Sequence, residues 1–488
     1  MTRRSVGIVL AVVAALSCKV GPGYERPEVA VPETYRFTDT TVYSPDSLAK
    51  LDSAAAIIAD VPWWEVFGDD TLQALINEGI QHNYNLGIAI ARVQEARAIT
   101  KVAGSALWPQ VSAEGGGDRS QITRPDANAL NQNRVTNRFF LDGVLSWELD
   151  LFGRVRRQKE SAEAQFFATE FAQRGTIISV VTGIADAYFT LRGLDEQLDI
   201  ARKTVDSRRE TVELFRRREL GGVSNRMEVA QAEAELHDAV AVELETERLI
   251  ALQETVVSLL LGRGPGPIPR GTTLSEQSLP PEVPPGIPSS LLERRPDVRE
   301  AEELMRSANA EIGVAKADYF PRISLTGLFG WVSPQLDKLL SEPQTVWSVG
   351  GSIIQPIFTG GRIKGNVQAA HARWVQSANF YLGTAQSAFG EVSDALVGIR
   401  YFKDIAVQRD SQVTALDEGS TLTRARYEAG RSNYLEVLDV DRRLFTAETQ
   451  AVGARLDHAR TYIALYRALG GGWQVPDSTV ATDSTSSK

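Results

Sequence analysis

Apolar positions recur every three or four residues through Val298, Leu304, Met305, Ala308, Ile312 and Ala315, which is one face of a helix. Pro321 predicts its end. Beyond the proline, Ile323, Leu325, Gly327, Phe329 and Trp331 alternate with Arg322, Ser324, Thr326, Leu328 and Gly330, the period of a strand with one apolar side. A helix therefore feeds a strand within a few residues, and the chain does this twice. Trp108-Pro109-Gln110 answers Phe320-Pro321-Arg322 at a spacing of 212. Phe152-Gly153-Arg154 pairs with Thr359 to Arg362, and Ser224 to Val229 with Ser432 to Val437, both at 208. Two unrelated coiled coils share apolar spacing but not proline and glycine punctuation in the same order, so the pattern predicts a duplicated unit.

The strands come in pairs. Val111, Ala113 and Gly115 alternate after Pro109, a polar stretch from Asp118 to Asn137 reads as a solvent loop, and a return strand follows. In that strand Phe139, Leu141, Gly143, Leu145, Trp147 and Leu149 share one face, with Asp142, Ser146, Glu148 and Asp150 on the other. In the second half Trp347, Val349, Gly351 and Ile353 alternate with Ser348, Gly350 and Ser352. About 9 to 11 residues suffice to cross a bilayer as a tilted strand, although a soluble sandwich gives the same alternation. Four strands do not close a barrel. A sheet facing lipid tolerates no free edge, so the remaining strands must come from further copies of the chain, and three copies give twelve.

Long helices connect the strands. Val375, Ala378, Leu382, Ala385, Phe389, Val392, Leu396 and Ile399 step by three and four as a heptad seam. Ile177, Val181, Ile184, Tyr188, Leu191, Leu198, Val205 and Val212 answer them in a helix running from Arg154 to about Leu220, on the order of 100 Å long. An earlier helical pattern runs from Trp63-Trp64 to Leu107, with Leu72, Leu75, Ile76, Ile80, Leu86, Ile90 and Val93 on one face. Each long helix meets a turn and folds back into a shorter partner. The turns carry Gly221, Gly222, Ser224 and Asn225 in the first half, and Gly430, Ser432 and Asn433 in the second.

The expected organisation is a signal peptide over 1–17, an extended segment over 18–62 and a first repeat over 63–263 with its hairpin at about 109–152. A proline-rich linker over 264–295, a second repeat over 296–473 with its hairpin at about 321–356, and a disordered tail over 474–488 complete it. The leader has Arg3, Arg4 and an apolar run from Val6 to Leu16, too short to span a bilayer and typical of export. Cys18, the single cysteine, follows it directly. A net charge of −10, with 23% charged and 8% aromatic residues, argues against a nucleic-acid binder. His82, His237, His371 and His458 are scattered, no metal-ligand spacing or nucleophile motif occurs, and no cofactor is called for beyond a covalent lipid. An enzyme is not expected.

The sequence resembles the TolC-type outer-membrane factors, in particular the lipoprotein branch serving resistance-nodulation-division efflux pumps. The stretches carrying the likeness are Cys18 to Pro22, Trp63-Trp64, Trp147 to Arg156, Leu291 to Ala301, Ile312 to Pro321, Gln355 to Arg362, Tyr427 to Arg443 and Leu465 to Trp473. The resemblance implies an all-α plus membrane β-barrel fold: a homotrimeric twelve-stranded barrel in the outer membrane, continued by a long α-helical barrel. It implies acylation of Cys18, outer-membrane localisation with extension into the periplasm, and a periplasmic adaptor and inner-membrane pump as partners. At the second turn it implies a periplasmic gate of Leu435, Glu436 and Asp439, latched through Tyr427. The basic latch position of the family is Ser432 here, which leaves the neighbouring Arg431 as the candidate. Both turns then become adaptor-contact tips. Type I protein secretion and a periplasmic coiled-coil scaffold are the alternatives.

Overall fold

The computed structural model describes residues 19–32, 67–121, 123, 126, 135–277, 292–341 and 344–471. The leader, Cys18, Trp63-Trp64 and the tail lie outside the described residues. In chain order the elements are α1 (Asp70–His82), α2 (Tyr84–Ser105), β1 (Gln110–Gln121), β2 (Val135–Leu149), α3 (Arg154–Leu220) and α4 (Arg226–Leu260). There follow α5 (Pro296–Ala317), β3 (Arg322–Ser333), β4 (Gln344–Ile354), α6 (Arg362–Glu428) and α7 (Tyr434–Ala468).

The two halves match element by element. Both α3 and α6 have 67 residues, α4 and α7 have 35, and their starting numbers differ by 208. Before the hairpins the shift is 212, with 22 residues in both α2 and α5 and 12 in both β1 and β3. The four-residue difference therefore arises within the hairpins.

The contacts divide the chain into two compact units. One comprises Met1–Glu28, Arg92–Glu170 and Glu300–Leu382, and holds the sheet. Its strands run antiparallel in the order β1-β2-β3-β4. The register places apolar positions opposite one another, as in Val111↔Leu145, Trp147↔Leu325 and Phe329↔Trp347. One face is thus Val, Leu, Ile, Phe and Trp with glycine between, and the opposite face carries Glu114, Asp142, Ser146, Thr326 and Ser348. The polar stretch expected to be all loop is partly strand. Asp118, Arg119, Ser120 and Gln121 pair with Arg138, Asn137, Thr136 and Val135, because backbone ladders do not require apolar side chains where the sheet meets water.

The turn into α3 explains the Glu-Leu-Asp-Leu-Phe-Gly-Arg stretch. The Asp150 carboxylate accepts the Val155 and Arg156 N–H groups at 3.0 and 2.9 Å, capping the helix, while Arg154 forks onto Glu148 at 2.9 and 2.8 Å. Gly153 takes a positive φ there. Residues 19–28 form neither helix nor strand and are pinned within the same unit. Val20 N–H donates to the Phe152 carbonyl at 3.2 Å, Arg157 donates to the Val20 and Pro22 carbonyls, and Tyr24 donates to Glu302 at 3.1 Å.

The other unit comprises Val29–Ala91, Phe171–Arg299 and Gly383–Lys488. The helical pattern before Leu107 is two helices rather than one. Asn83 is extended, and its side-chain oxygen accepts the Asn85 and Leu86 N–H groups while its amide donates to the Leu260 carbonyl at 2.7 Å. A capping residue with a tertiary partner outweighs the continuous apolar period. The α3 seam is buried from Val181 through Val212, and of the α6 seam Ala385, Phe389, Val392 and Ile399 are buried, flanked by Tyr381, Ala388 and Ala395, while Val375 is exposed. The proline-rich connector is anchored where it is described. Ile268 and Leu274 are buried and Arg270 pairs with Asp195 and Glu254.

Two distant stretches of the second half meet at Arg295. This buried guanidinium donates to Asp297 at 3.0 and 2.6 Å, to Glu391 at 2.7 Å and to the Ala468 carbonyl at 3.0 Å. It therefore satisfies the end of α7 as well as the entry to α5.

Candidate functional site: the helical hairpin tips

Both tips are built by the same local chemistry. Gly222 and Gly430 take φ of 71° and 69° just past the helix end, where a side chain would be strained. The next N–H reaches back, Val223 to the Arg218 carbonyl at 2.9 Å and Arg431 to Arg426 at 2.8 Å, which closes the last turn. Asn225 and Asn433 then cap α4 and α7, accepting the N–H of Glu228 and Glu436, each at 3.1 Å. In the first tip Glu228 also returns to Ser224 and to the Asn225 N–H, completing a capping box. In the second, Ser432 Oγ is buried with no hydrogen-bond partner among the described residues.

The arms pair antiparallel, through Arg202 with Glu247 and Arg216 with Glu233, both at 2.8 Å. The two hairpins then pack on each other through Val212, Phe215, Val229, Ala232, Tyr434, Val437 and Leu438. Phe215 and Tyr434 meet edge to face at 4.5 Å, and Tyr427 lies 5.9 Å from Tyr434. Such aromatic pairs contribute about 0.5–1.5 kcal/mol each beyond their buried area. Burial holds the Tyr434 phenol above its ordinary range. One ionic knot reinforces the contact: the buried Glu235 of the first hairpin accepts from Arg208 at 3.1 Å and from Arg442 of the second. Further along, α3, α6 and α7 bound a groove of about 590 Å³ lined by Lys203, Arg208, Asp417, Arg424, Asp441 and Glu448. Burial first, then Asp417, raises the Glu448 carboxyl.

The sequence-derived residues fall into two groups. Leu435, Glu436 and Asp439 share the exposed side of the first turns of α7, with Arg443 3.9 Å from Asp439. Tyr427 is half-buried against the hairpin contact. Its partner is Arg218, which donates to the phenol oxygen at 2.7 Å and lies 5.3 Å from the ring centre. Arg431 is exposed and is not part of this contact. Sequence reasoning missed Arg218, although helical phase contains a signal: Val212, Phe215 and Arg218 step by three onto one face. Tyr434, a further anchor, occupies the first position of α7. Among the described residues no three metal-ligating side chains converge.

The chain thus carries a duplicated set of helical hairpins with 67- and 35-residue arms and a four-stranded sheet with one apolar face. The chain belongs to the outer membrane efflux protein family, whose model matches residues 75–263 and 287–471. It is 33% identical over 476 residues to the toluene efflux pump outer membrane protein TtgC of Pseudomonas putida, covering 97% of this chain and 96% of that one. With the cation efflux system protein CusC of Escherichia coli it shares 32% over 461 residues, 94% of this chain and 97% of the relative. The open-state structure of the Neisseria gonorrhoeae MtrE outer membrane channel superposes with a TM-score of 0.80 at 32% identity, covering 93% and 99% of the two chains. The protein works in the outer membrane as part of an efflux system.

Proposed function

We propose that three copies of the chain close a twelve-stranded barrel and a helical tunnel, forming the passive exit duct of a tripartite pump. Small toxic molecules enter from an inner-membrane pump and periplasmic adaptor. Acylation of Cys18 adds a lipid anchor. The observation that carries this reading is the sheet: four strands with one apolar face and two unpaired outer edges satisfy neither lipid nor backbone as a single chain. Toluene and cation efflux both occur among the relatives, which fits a duct whose cargo is selected elsewhere.

The gate in this reading is the second tip. Threefold symmetry would bring three copies each of Leu435, Glu436 and Asp439 to the periplasmic mouth. Two carboxylates about 7 Å apart in water repel by about 0.6 kcal/mol, so the ring favours cations and pushes toward dilation. The Arg218–Tyr427 hydrogen bond and the aromatic contact hold each pair of hairpins together against that push. Adaptors would meet the mouth at Gly221, Gly222, Ser224, Asn225, Gly430, Ser432 and Asn433.

Purified protein in a planar bilayer is expected to give a small, cation-selective conductance. The Glu436→Ala/Asp439→Ala variant should lose most of that selectivity while retaining its assembly. Equal cation preference in the two proteins would remove the acidic mouth from the proposal. A protein that never conducts, and that migrates identically on gels with and without heating, would favour the scaffold alternative.

A further inference from the structure

The two tips carry one sequence signature and use it differently. Ser224-Asn225 is followed by Glu228, and Ser432-Asn433 by Glu436, at the same spacing. An N-cap residue with glutamate three positions later is the capping-box pattern, in which the glutamate folds back onto the helix start. The backbones agree as well. Asn225 and Asn433 are both extended, with ψ of 163° and 164°, and each accepts the N–H of its glutamate. At the first tip the Glu228 carboxylate completes the box, accepting the Ser224 hydroxyl and, at 3.5 Å, the Asn225 N–H. At the second it does not. The Glu436 side chain is exposed and its carboxylate has no partner among the described residues, while Ser432 Oγ is buried without one.

We infer that the Glu436 carboxylate has two positions, the extended one seen here and one folded back onto Ser432 Oγ and the Asn433 N–H, and that Ser432 is the positioning residue of the second. Its effect on ions rests on the proposed gate, whereas the movement itself belongs to the tip alone.

No backbone change is needed, because the first tip already holds the folded-back form on the same geometry. A buried hydroxyl without an acceptor is costly, and a returning carboxylate satisfies it together with an orphan N–H at the helix start. There the carboxylate also meets the positive end of the helix dipole. Against this, the extended side chain is hydrated and keeps its rotamer freedom. In the proposed ring, repulsion among the Glu436 and Asp439 carboxylates of a narrow mouth favours folding back, and dilation releases Glu436 again. Width and charge are thereby coupled. The mouth is most acidic when it is widest.

Hydrogen exchange in the full-length, detergent-solubilised protein reads the two positions, because the Asn433 N–H has no backbone acceptor among the described residues and is bonded only in the folded-back form. The Asn225 amide, held by Glu228, is a reference within the same chain, and its unchanged rate reports that the hairpins have folded. Asn433 is expected to exchange more slowly in the unmodified protein than in Glu436→Ala. Ser432→Ala should speed it roughly fivefold, and Ser432→Thr, which keeps the hydroxyl, should restore it. In a planar bilayer Ser432→Ala should also raise cation preference, by up to about twofold, since folding back halves the acidic charge of the proposed mouth. That rise should vanish in a Glu436→Ala background. Equal Asn433 exchange in the unmodified protein and in Glu436→Ala would overturn the second position. An unchanged rate in Ser432→Ala would remove Ser432 from it. Altered exchange with unaltered cation preference would instead refute the gate and leave the two positions standing.

Discussion

Replacing Glu235 with alanine is expected to separate the two hairpins and enlarge the resting conductance several-fold. Glu235 and Arg208 are both buried, and Arg442 completes the knot from the second hairpin. Removing the carboxylate leaves the Arg208 guanidinium buried without a counter-charge, which costs about 3–5 kcal/mol per chain. That exceeds the contribution of any single aromatic contact in the tip. Arg442 is largely exposed and returns to water cheaply, so Arg442→Ala should cost no more than about 1 kcal/mol. The ordering distinguishes an ionic lock from general loosening. Single-channel recordings and limited proteolysis at the tips provide the readouts. An Arg442→Ala effect as large as that of Glu235→Ala would contradict the assignment of the cost to the stranded arginine.

Arg295→Ala is expected to lower thermal stability by about 3 kcal/mol without altering ion selectivity, because its bonds are structural and lie outside the tip. The side chain is buried while Asp297 and Glu391 are partly exposed, so the acids re-solvate and the loss comes from the charged hydrogen bonds and the orphaned Ala468 carbonyl. Arg295→Lys keeps the charge but not the planar fork, and should recover only part of the loss. Calorimetry of the detergent-solubilised protein measures both variants. An unchanged unfolding temperature for Arg295→Ala would mean that α7 ends without this support.

The strands and long helices were legible because their periods persist over many residues. The stepping from Val181 to Leu191, carried on to Val212 at every seventh residue, reflects one-sided burial, and the alternation from Ile323 to Trp331 records the one apolar face of the sheet. Breaks that depend on a distant partner were not legible. Asn83 interrupts a good helical pattern because the Leu260 carbonyl receives its amide, and no local rule contains that contact. The ladder from Asp118 to Gln121 hid behind polar composition. At the tip the same division holds. Leu435, Glu436 and Asp439 came from the family resemblance, helped by the spacing of three between the two acids, whereas the arginine that reaches Tyr427 comes from 209 residues earlier in the chain.

The equal arm lengths of the two repeats place unlike residues at matching positions. Leu435, Glu436 and Asp439 correspond to Met227, Glu228 and Gln231, while Leu220, Val223 and Met227 leave the first tip with an apolar surface. The two hairpins thus present different surfaces: the first an apolar one, the second a pair of carboxylates. In the proposed ring of three chains the two kinds would alternate. A substitution at either tip would therefore alter every second hairpin and leave its neighbours as an internal reference.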